Sequence, residues 1–198
     1  GDVYKRQLLT ALLLTPLPAA AQSATVPAVT PVPVYGFEVV RVYPHDPSAF
    51  TQGLVFRDGE LLESTGRYPS TVRRVRLEDG VVLQKRELDE AYFGEGLTAV
   101  GDRVLTLTWK GGKGFIWDPA TLEPRGEFAY AGEGWGLTHD ATRLILSDGT
   151  AALRFLDPAT LQETGRVPVT LQGRPISQIN ELEWICLLYT SPSPRDRG

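Results

Sequence analysis

Four times in this chain a short hydrophobic strand begins just after a residue that differs in each copy: Gln52, Glu95, Trp135 and Asn180. The first three precede a Gly-Leu pair, Gly53-Leu54, Gly96-Leu97 and Gly136-Leu137, and the fourth precedes Glu181-Leu182. The spacings of 43, 40 and 45 residues match the length of one four-stranded propeller blade. Blades pack radially, so equivalent positions at the start of each innermost strand converge on one central channel. A scaffold that repeats while one converging position carries an amide, a carboxylate, an indole and a second amide is arranged to build a site.

Each Gly-Leu is followed by the same order of elements. Apolar or β-branched runs cover 60–65, 103–109 and 143–148, followed by 71–77, 114–117 and 152–156. More polar fourth stretches cover 81–88, 126–130 and 165–169. Turn formers separate them, at Asp58-Gly59, Asp79-Gly80, Asp118-Pro119 and Asp157-Pro158. The segment Asp-Pro-Ala-Thr-Leu occurs twice, from Asp118 and from Asp157. Outside an N-terminal apolar run no window keeps a helical period, so the fold class is all-β.

The two ends read differently from the middle. Residues 2–7 (DVYKRQ) and 186–191 (CLLYTS) can be encoded by inverted copies of one DNA stretch. Residues 1–7 and 186–198 are therefore expected to be translated sequencing-adapter scars. The only cysteine, Cys186, falls in the second, leaving no thiol nucleophile or thiolate ligand in the rest. The chain's formal net charge is −4, and the scars carry +2 of it, so the residues between them carry −6. That acidity argues against a nucleic-acid partner. Residues 8–21 (LLTALLLTPLPAAA) have the apolar run and small-residue end of a secretory signal cut short at its start. The run is shorter than the ~20 residues needed to span a bilayer. Residues 22–34 are expected to be a flexible tail, and 35–185 an incomplete propeller with about three complete blades and the start of a fourth. The alternating stretch Tyr35 to Tyr43 is expected to close the ring by joining the last blade. A periplasmic or secreted, monomeric protein follows, free of the membrane after signal cleavage. The chain as written is expected to be a poorly folded, inactive piece.

Several of these segments together resemble the plant and bacterial type of glutaminyl-peptide cyclotransferase. They are Phe50-Thr51-Gln52-Gly53-Leu54, Phe93-Gly94-Glu95-Gly96-Leu97, Gly132 to Asp140 (GEGWGLTHD) and Gln178 to Glu183 (QINELE). Leu62 to Gly66 (LESTG) and Ser147 to Thr150 (SDGT) fit the same pattern. The resemblance runs from about Tyr43 to Trp184. It implies a five-bladed propeller that turns an N-terminal glutamine into pyroglutamate and releases ammonia, acting on peptides or proteins that begin with glutamine. Fold alone would imply none of this.

The reaction needs no enzyme nucleophile, because the substrate's own α-amine attacks its side-chain carboxamide. It needs a group that takes and returns a proton, and Glu95, between two glycines, is the candidate. Gln52 and Asn180 suit the substrate carboxamide and its developing oxyanion. Trp109 and Trp135 can stack on substrate and exclude water, and Phe50 and Phe93, each two residues before a site residue, suit an apolar wall. Glu133 lies two residues before Trp135, off the converging position, and is the second choice for the acid. Glu181 and Glu183 are weaker candidates, and Trp117 and Trp184 read as core. His45 and His139 are isolated, so no catalytic zinc and no cofactor are expected. The residues taken alone also fit a non-catalytic ligand-binding propeller or a metal-dependent sugar lactonase.

Overall fold

The computed structural model describes residues 36–140, 142–185 and 191–192. The expected signal and tail lie outside them, as do both expected scars apart from Ser191–Pro192. Among the described residues the strands form three four-stranded antiparallel sheets, each in sequence order. The first holds β1 (Thr51–Arg57), β2 (Glu60–Thr65), β3 (Thr71–Arg76) and β4 (Val82–Glu87). The second holds β5 (Gly94–Val100), β6 (Arg103–Thr108), β7 (Lys113–Trp117) and β8 (Pro124–Ala129). The third holds β9 (Leu137–His139), β10 (Leu144–Ser147), β11 (Ala152–Leu156) and β12 (Glu163–Pro168). Two short pairs follow: β13 (Thr170–Leu171) with β14 (Arg174–Pro175), and β15 (Leu182–Glu183) with β16 (Ser191–Pro192). Each sheet is one repeat of the sequence, and no helix occurs among the described residues.

The turn chemistry explains the repeat boundaries. Asp58 and Gly59 have φ of 52° and 87°, the two left-handed residues of a hairpin turn whose twist matches its strands. In both Asp-Pro-Ala-Thr-Leu segments the aspartate Oδ1 accepts two backbone N–H bonds. Asp118 takes Ala120 and Thr121, each at 2.8 Å, and Asp157 takes Ala159 at 2.9 Å and Thr160 at 2.7 Å. The closing leucines, Leu122 and Leu161, sit at φ of 51° and 60° with their side chains buried. Left-handed leucine is costly; burial of the side chain offsets it.

The cores lie between sheets rather than within them. Leu62, Val72 and Leu88 of the first repeat pack on Leu97, Val104, Trp117 and Leu122 of the second. Leu105, Leu107 and Tyr130 of the second meet Leu137, Leu144, Leu146, Leu156 and Leu161 of the third. Ile145 and Leu153 of the third meet Ile179 and Leu182. Neighbours on one strand, Val104 and Leu105, thus serve opposite interfaces, as strand alternation requires. Trp117 is core as expected, and Trp184 packs partly buried against the last cluster.

The segment expected to join a last blade is unpaired among the described residues. Tyr35 is outside the described residues, and 36–43 contain no strand. Phe37, Val39, Val40 and Val42 are 94, 64, 93 and 82% exposed. A strand needs partners for its backbone N–H and C=O groups, and among the described residues none pairs with this segment.

The first strands β1, β5, β9 and β15 pack successively on one another, and the motif glycines make this possible. A methyl group at Gly96 would lie 2.6 Å from both Leu137 N and Trp135 O. One at Gly136 would overlap Asn180 O and lie 2.9 Å from Leu182 N, and one at Gly53 would overlap Leu97 N. All are backbone atoms of the next repeat, which cannot rotate away. Gly136→Ala is therefore expected to cost about 3 kcal/mol or more through forced separation of two strands. Gly165→Ala, with no atom within 4 Å of the new methyl, is expected to be neutral or stabilising by about 0.5 kcal/mol. Equilibrium unfolding of the two variants against the unsubstituted protein measures both.

Candidate active site

Gln52 and Glu95 sit in β-bulges. The β1–β2 register slips between Thr51 and Gly53, and the β5–β6 register between Gly94 and Leu97. A bulge leaves a residue unpaired and re-aims its side chain, so both residues leave the regular alternation of their strands. The Gln52 amide nitrogen donates to Glu95 Oε1 at 3.4 Å. Trp135 and Asn180 stand two residues before β9 and β15 instead. Their backbones are locked to the neighbouring repeat. Gly96 N donates to Trp135 O at 2.7 Å. The Ser147 hydroxyl donates to Asn180 O and accepts from Gly136 N at 2.8 Å. Ser64, at the equivalent place in the first repeat, donates to Glu95 O. Opposite Gly96 the second repeat carries Leu107, which has no hydroxyl, and there the backbone N–H makes the link alone.

Glu95 is 6% exposed. Burial first, and then the charge of Glu133, push its carboxyl up to about 8. Burial penalises the charged form, and a second carboxylate adds repulsion. Glu181 is pushed well above the usual carboxylate range, again mainly by burial, with the charges of Glu95 and Glu183 adding to it. Its Oε2 is buried without a hydrogen-bond partner. Glu133 and Glu181 thus lie near enough to Glu95 for the carboxyls to interact by charge. Among the described residues no group of three or more His, Cys, Asp or Glu side chains is placed to hold a metal ion.

Glu133 has a larger part than its place in the repeat suggests. Its Oε2 accepts from Trp109 Nε1 and from Trp135 Nε1, each at 2.8 Å. One carboxylate oxygen thereby fixes two indoles from different repeats by their edges. The flat face of Trp135 lies against Gly149, where a methyl group would come within 2.7 Å of Trp135 Cζ2. The loop that carries Glu133 is itself anchored. Arg154, fully buried, donates to Ala131 O at 2.7 Å and pairs with Glu163 at 2.8 Å. Tyr130 holds the other indole's strand: its hydroxyl accepts from Thr108 N at 2.9 Å and donates to Thr108 O at 2.7 Å. Trp109 follows directly.

The aromatic side chains beside Glu95 pack edge to face. Phe93 meets Phe50 edge-on at 6.4 Å between ring centroids and Trp109 at 5.9 Å. Tyr68, which the repeat pattern did not mark, meets Phe93 at 5.9 Å. Gly66 leaves the room, since a methyl there would overlap the Phe93 ring. The cation over Trp109 is the protein's own Lys110, whose Nζ lies 4.0 Å from the ring centroid. The two histidines lie elsewhere, His45 on Glu63 at 3.0 Å and His139 on Thr98 at 2.9 Å. Tyr68 and Arg154 carry no mark in the repeat because they act through contacts between repeats, and Tyr130 and Lys110 because they act on Thr108 and Trp109 of their own repeat. The Gly-Glu-Gly frame of Glu133, the same as that of Glu95, was the one signal for it.

Comparison with known proteins agrees with this geometry. A profile of the family described as glutamine cyclotransferase matches residues 8–189. A glutaminyl-peptide cyclotransferase of Arabidopsis thaliana is 43% identical over 151 residues, 75% of this chain and 47% of that protein. The crystal structure of Myxococcus xanthus glutaminyl cyclase superposes with a TM-score of 0.70 at 40% identity, over 75% of this chain and 63% of that one. A protein of unknown function from Bacteroides caccae, at 17% identity and a TM-score of 0.54, shares the fold alone. The chain spans about half the length of its curated relative. It is an all-β propeller chain and belongs to the glutamine cyclotransferase family.

Proposed function

We propose that the protein carrying this chain cyclises the N-terminal glutamine of peptides to pyroglutamate, with release of ammonia. The observation that carries the reading is Glu95: a buried carboxyl pushed up to about 8, beside Gln52 and near an aromatic wall. A peptide α-amine has an ordinary pKa of about 7.7–8.0. Donor and acceptor are therefore matched, the condition under which one group can take a proton and return it.

The substrate ammonium enters a region that carries the charge of Glu133 beside the buried carboxyls of Glu95 and Glu181. Ionised Glu95 takes one proton from it, freeing the nitrogen lone pair. The amine nitrogen attacks the side-chain carboxamide carbon, forming the ring C–N bond and a tetrahedral intermediate. Gln52 and Asn180 are assigned to the carboxamide and its oxygen. Glu95 passes its proton to the departing nitrogen and takes the surplus proton from the ring nitrogen, the old C–N bond breaks as the C=O reforms, and ammonia leaves. Glu95 then gives that second proton to the ammonia or to solvent. No water is consumed. Trp109 and Trp135 cannot offer their N–H groups to this intermediate, because Glu133 already takes both. Their contribution is shape: two fixed indoles that hold the folded-back conformer and exclude water.

Glu95→Gln keeps size and burial but cannot shuttle a proton. It is expected to lower cyclisation by at least ~100-fold while the protein stays folded. Stability adds a second check. The folded-state pKa of Glu95 lies above its unfolded value, so the carboxyl costs stability progressively as pH rises from about 4.5 towards 8. The glutamine variant is expected to show a flatter dependence of unfolding free energy on pH over that range. Near-normal ammonia release by this variant would exclude Glu95 as the proton carrier.

Glu133→Gln removes the neighbouring charge and leaves an amide oxygen for the indoles. The rising limb of the pH–rate profile, set by ionisation of Glu95, is expected to move to lower pH. Glu133→Ala is expected in addition to alter the near-ultraviolet circular dichroism of the indoles, since both N–H bonds are lost. An unmoved profile in Glu133→Gln would show that the two carboxylates do not interact.

A further inference from the structure

Two cations stand at the open edge of the aromatic wall. The Arg67 guanidinium carbon lies 4.5 Å from the Phe50 ring centroid, and Lys110 Nζ lies 4.0 Å from that of Trp109. Phe50, Tyr68 and Trp109 are 40, 62 and 37% exposed, so this side of the site meets solvent. Among the described residues neither Arg67 nor Lys110 makes an ion pair, although most arginines and lysines of the chain do.

Both cations are registered to the segment that carries Glu95. Arg67 has φ of 65° in the turn after β2. Its carbonyl accepts from the Ser70 hydroxyl at 2.7 Å, and that hydroxyl accepts from Gly94 N at 2.9 Å. Lys110 follows Trp109, whose N–H donates to Phe93 O at 2.9 Å and whose carbonyl accepts from Gly134 N at 3.0 Å. The floor of the site holds carboxylates and its rim holds positive charge.

We propose that Arg67 and Lys110 are specificity-determining residues that select peptides carrying a carboxylate one or two residues after the N-terminal glutamine. The inference rests on the cyclisation reading above and names the substrate class. With the α-amine at Glu95, an extended peptide advances about 3.3–3.6 Å per residue. Its second and third residues therefore reach the rim, since Phe93, whose ring meets both Phe50 and Trp109, stands two residues, at most about 7 Å, from Glu95. A cation resting on an aromatic face is already ordered, so a carboxylate can pair with it at little further entropic cost. A lysine at the same place meets two like charges.

The test compares cyclisation of amidated Gln-Ala-Ala, Gln-Glu-Ala, Gln-Ala-Glu and Gln-Lys-Ala at low salt, with Gln-Ala free acid beside its amide. One of the two glutamate peptides is expected to exceed the lysine peptide about tenfold in kcat/KM, through KM, and the ratio to shrink with added salt. Arg67→Gln with Lys110→Gln is expected to bring the ratio within about twofold, and Arg67→Glu with Lys110→Glu to invert it. Unfolding curves show whether each variant is folded, and either folded variant suffices. An advantage confined to the free-acid dipeptide also supports carboxylate capture and assigns it to the chain terminus. No advantage for any carboxylate, or one retained in the folded variants, overturns the specificity inference while cyclisation of Gln-Ala-Ala amide stands. Failure to cyclise that neutral peptide overturns the reading beneath it.

Discussion

Everything at this site depends on how closely the innermost strands approach. At Gly53, Gly96 and Gly136 the backbone of the next repeat occupies the place of a side chain. Only glycine permits that contact, and the contact brings the preceding residue of each repeat towards the same region. Ser64 and Ser147 then fasten the approach by donating to the carbonyls of Glu95 and Asn180. The bond is made to the backbone of the site residue, which leaves its side chain available. Position and chemistry are thereby separated: glycine and serine set where the residue stands, and its identity is open to differ between repeats.

Burial at that point has a cost that the site uses. A carboxyl almost sealed from water and facing Glu133 is expensive to ionise near neutrality. The same expense moves Glu95 into the range where it exchanges a proton with an amine. Glu133 sustains the arrangement from another side, since its charge is held in place by two indole N–H groups. Arg154 and Tyr130, both buried, keep the two Trp-bearing segments in register. Such residues are positioning groups, and their loss would loosen the site without removing a reacting atom.

Much of this was legible in the sequence. The period, the Gly-Leu pairs and the Asp-Gly and Asp-Pro turns predict three sheets whose strands agree with the observed ones to within about two residues. Gln52 meets Glu95, Phe93 meets Phe50 and Trp109, and Glu133 joins Trp109 to Trp135, contacts that repeat phase favours because it reports radial position. What depends on contact between repeats was not legible. The double role of Glu133 comes from a loop that reaches two indoles, one of them 24 residues away. Tyr68 enters through a turn after β2, and the bulges at Gln52 and Glu95 are visible only as a register shift. The Tyr35 to Tyr43 alternation predicts a strand, yet alternation describes only what a segment can pair with, and no described partner lies beside it.

The central claim is that position in the fold, through burial and the neighbouring charge of Glu133, makes Glu95 a proton carrier near neutral pH. A titration of the side-chain carboxyl carbon of Glu95 by nuclear magnetic resonance, in the folded protein, measures this directly. The account predicts a midpoint near 8 that falls in Glu133→Gln. A midpoint near the ordinary glutamate value of about 4.3, with the fold intact, would contradict it.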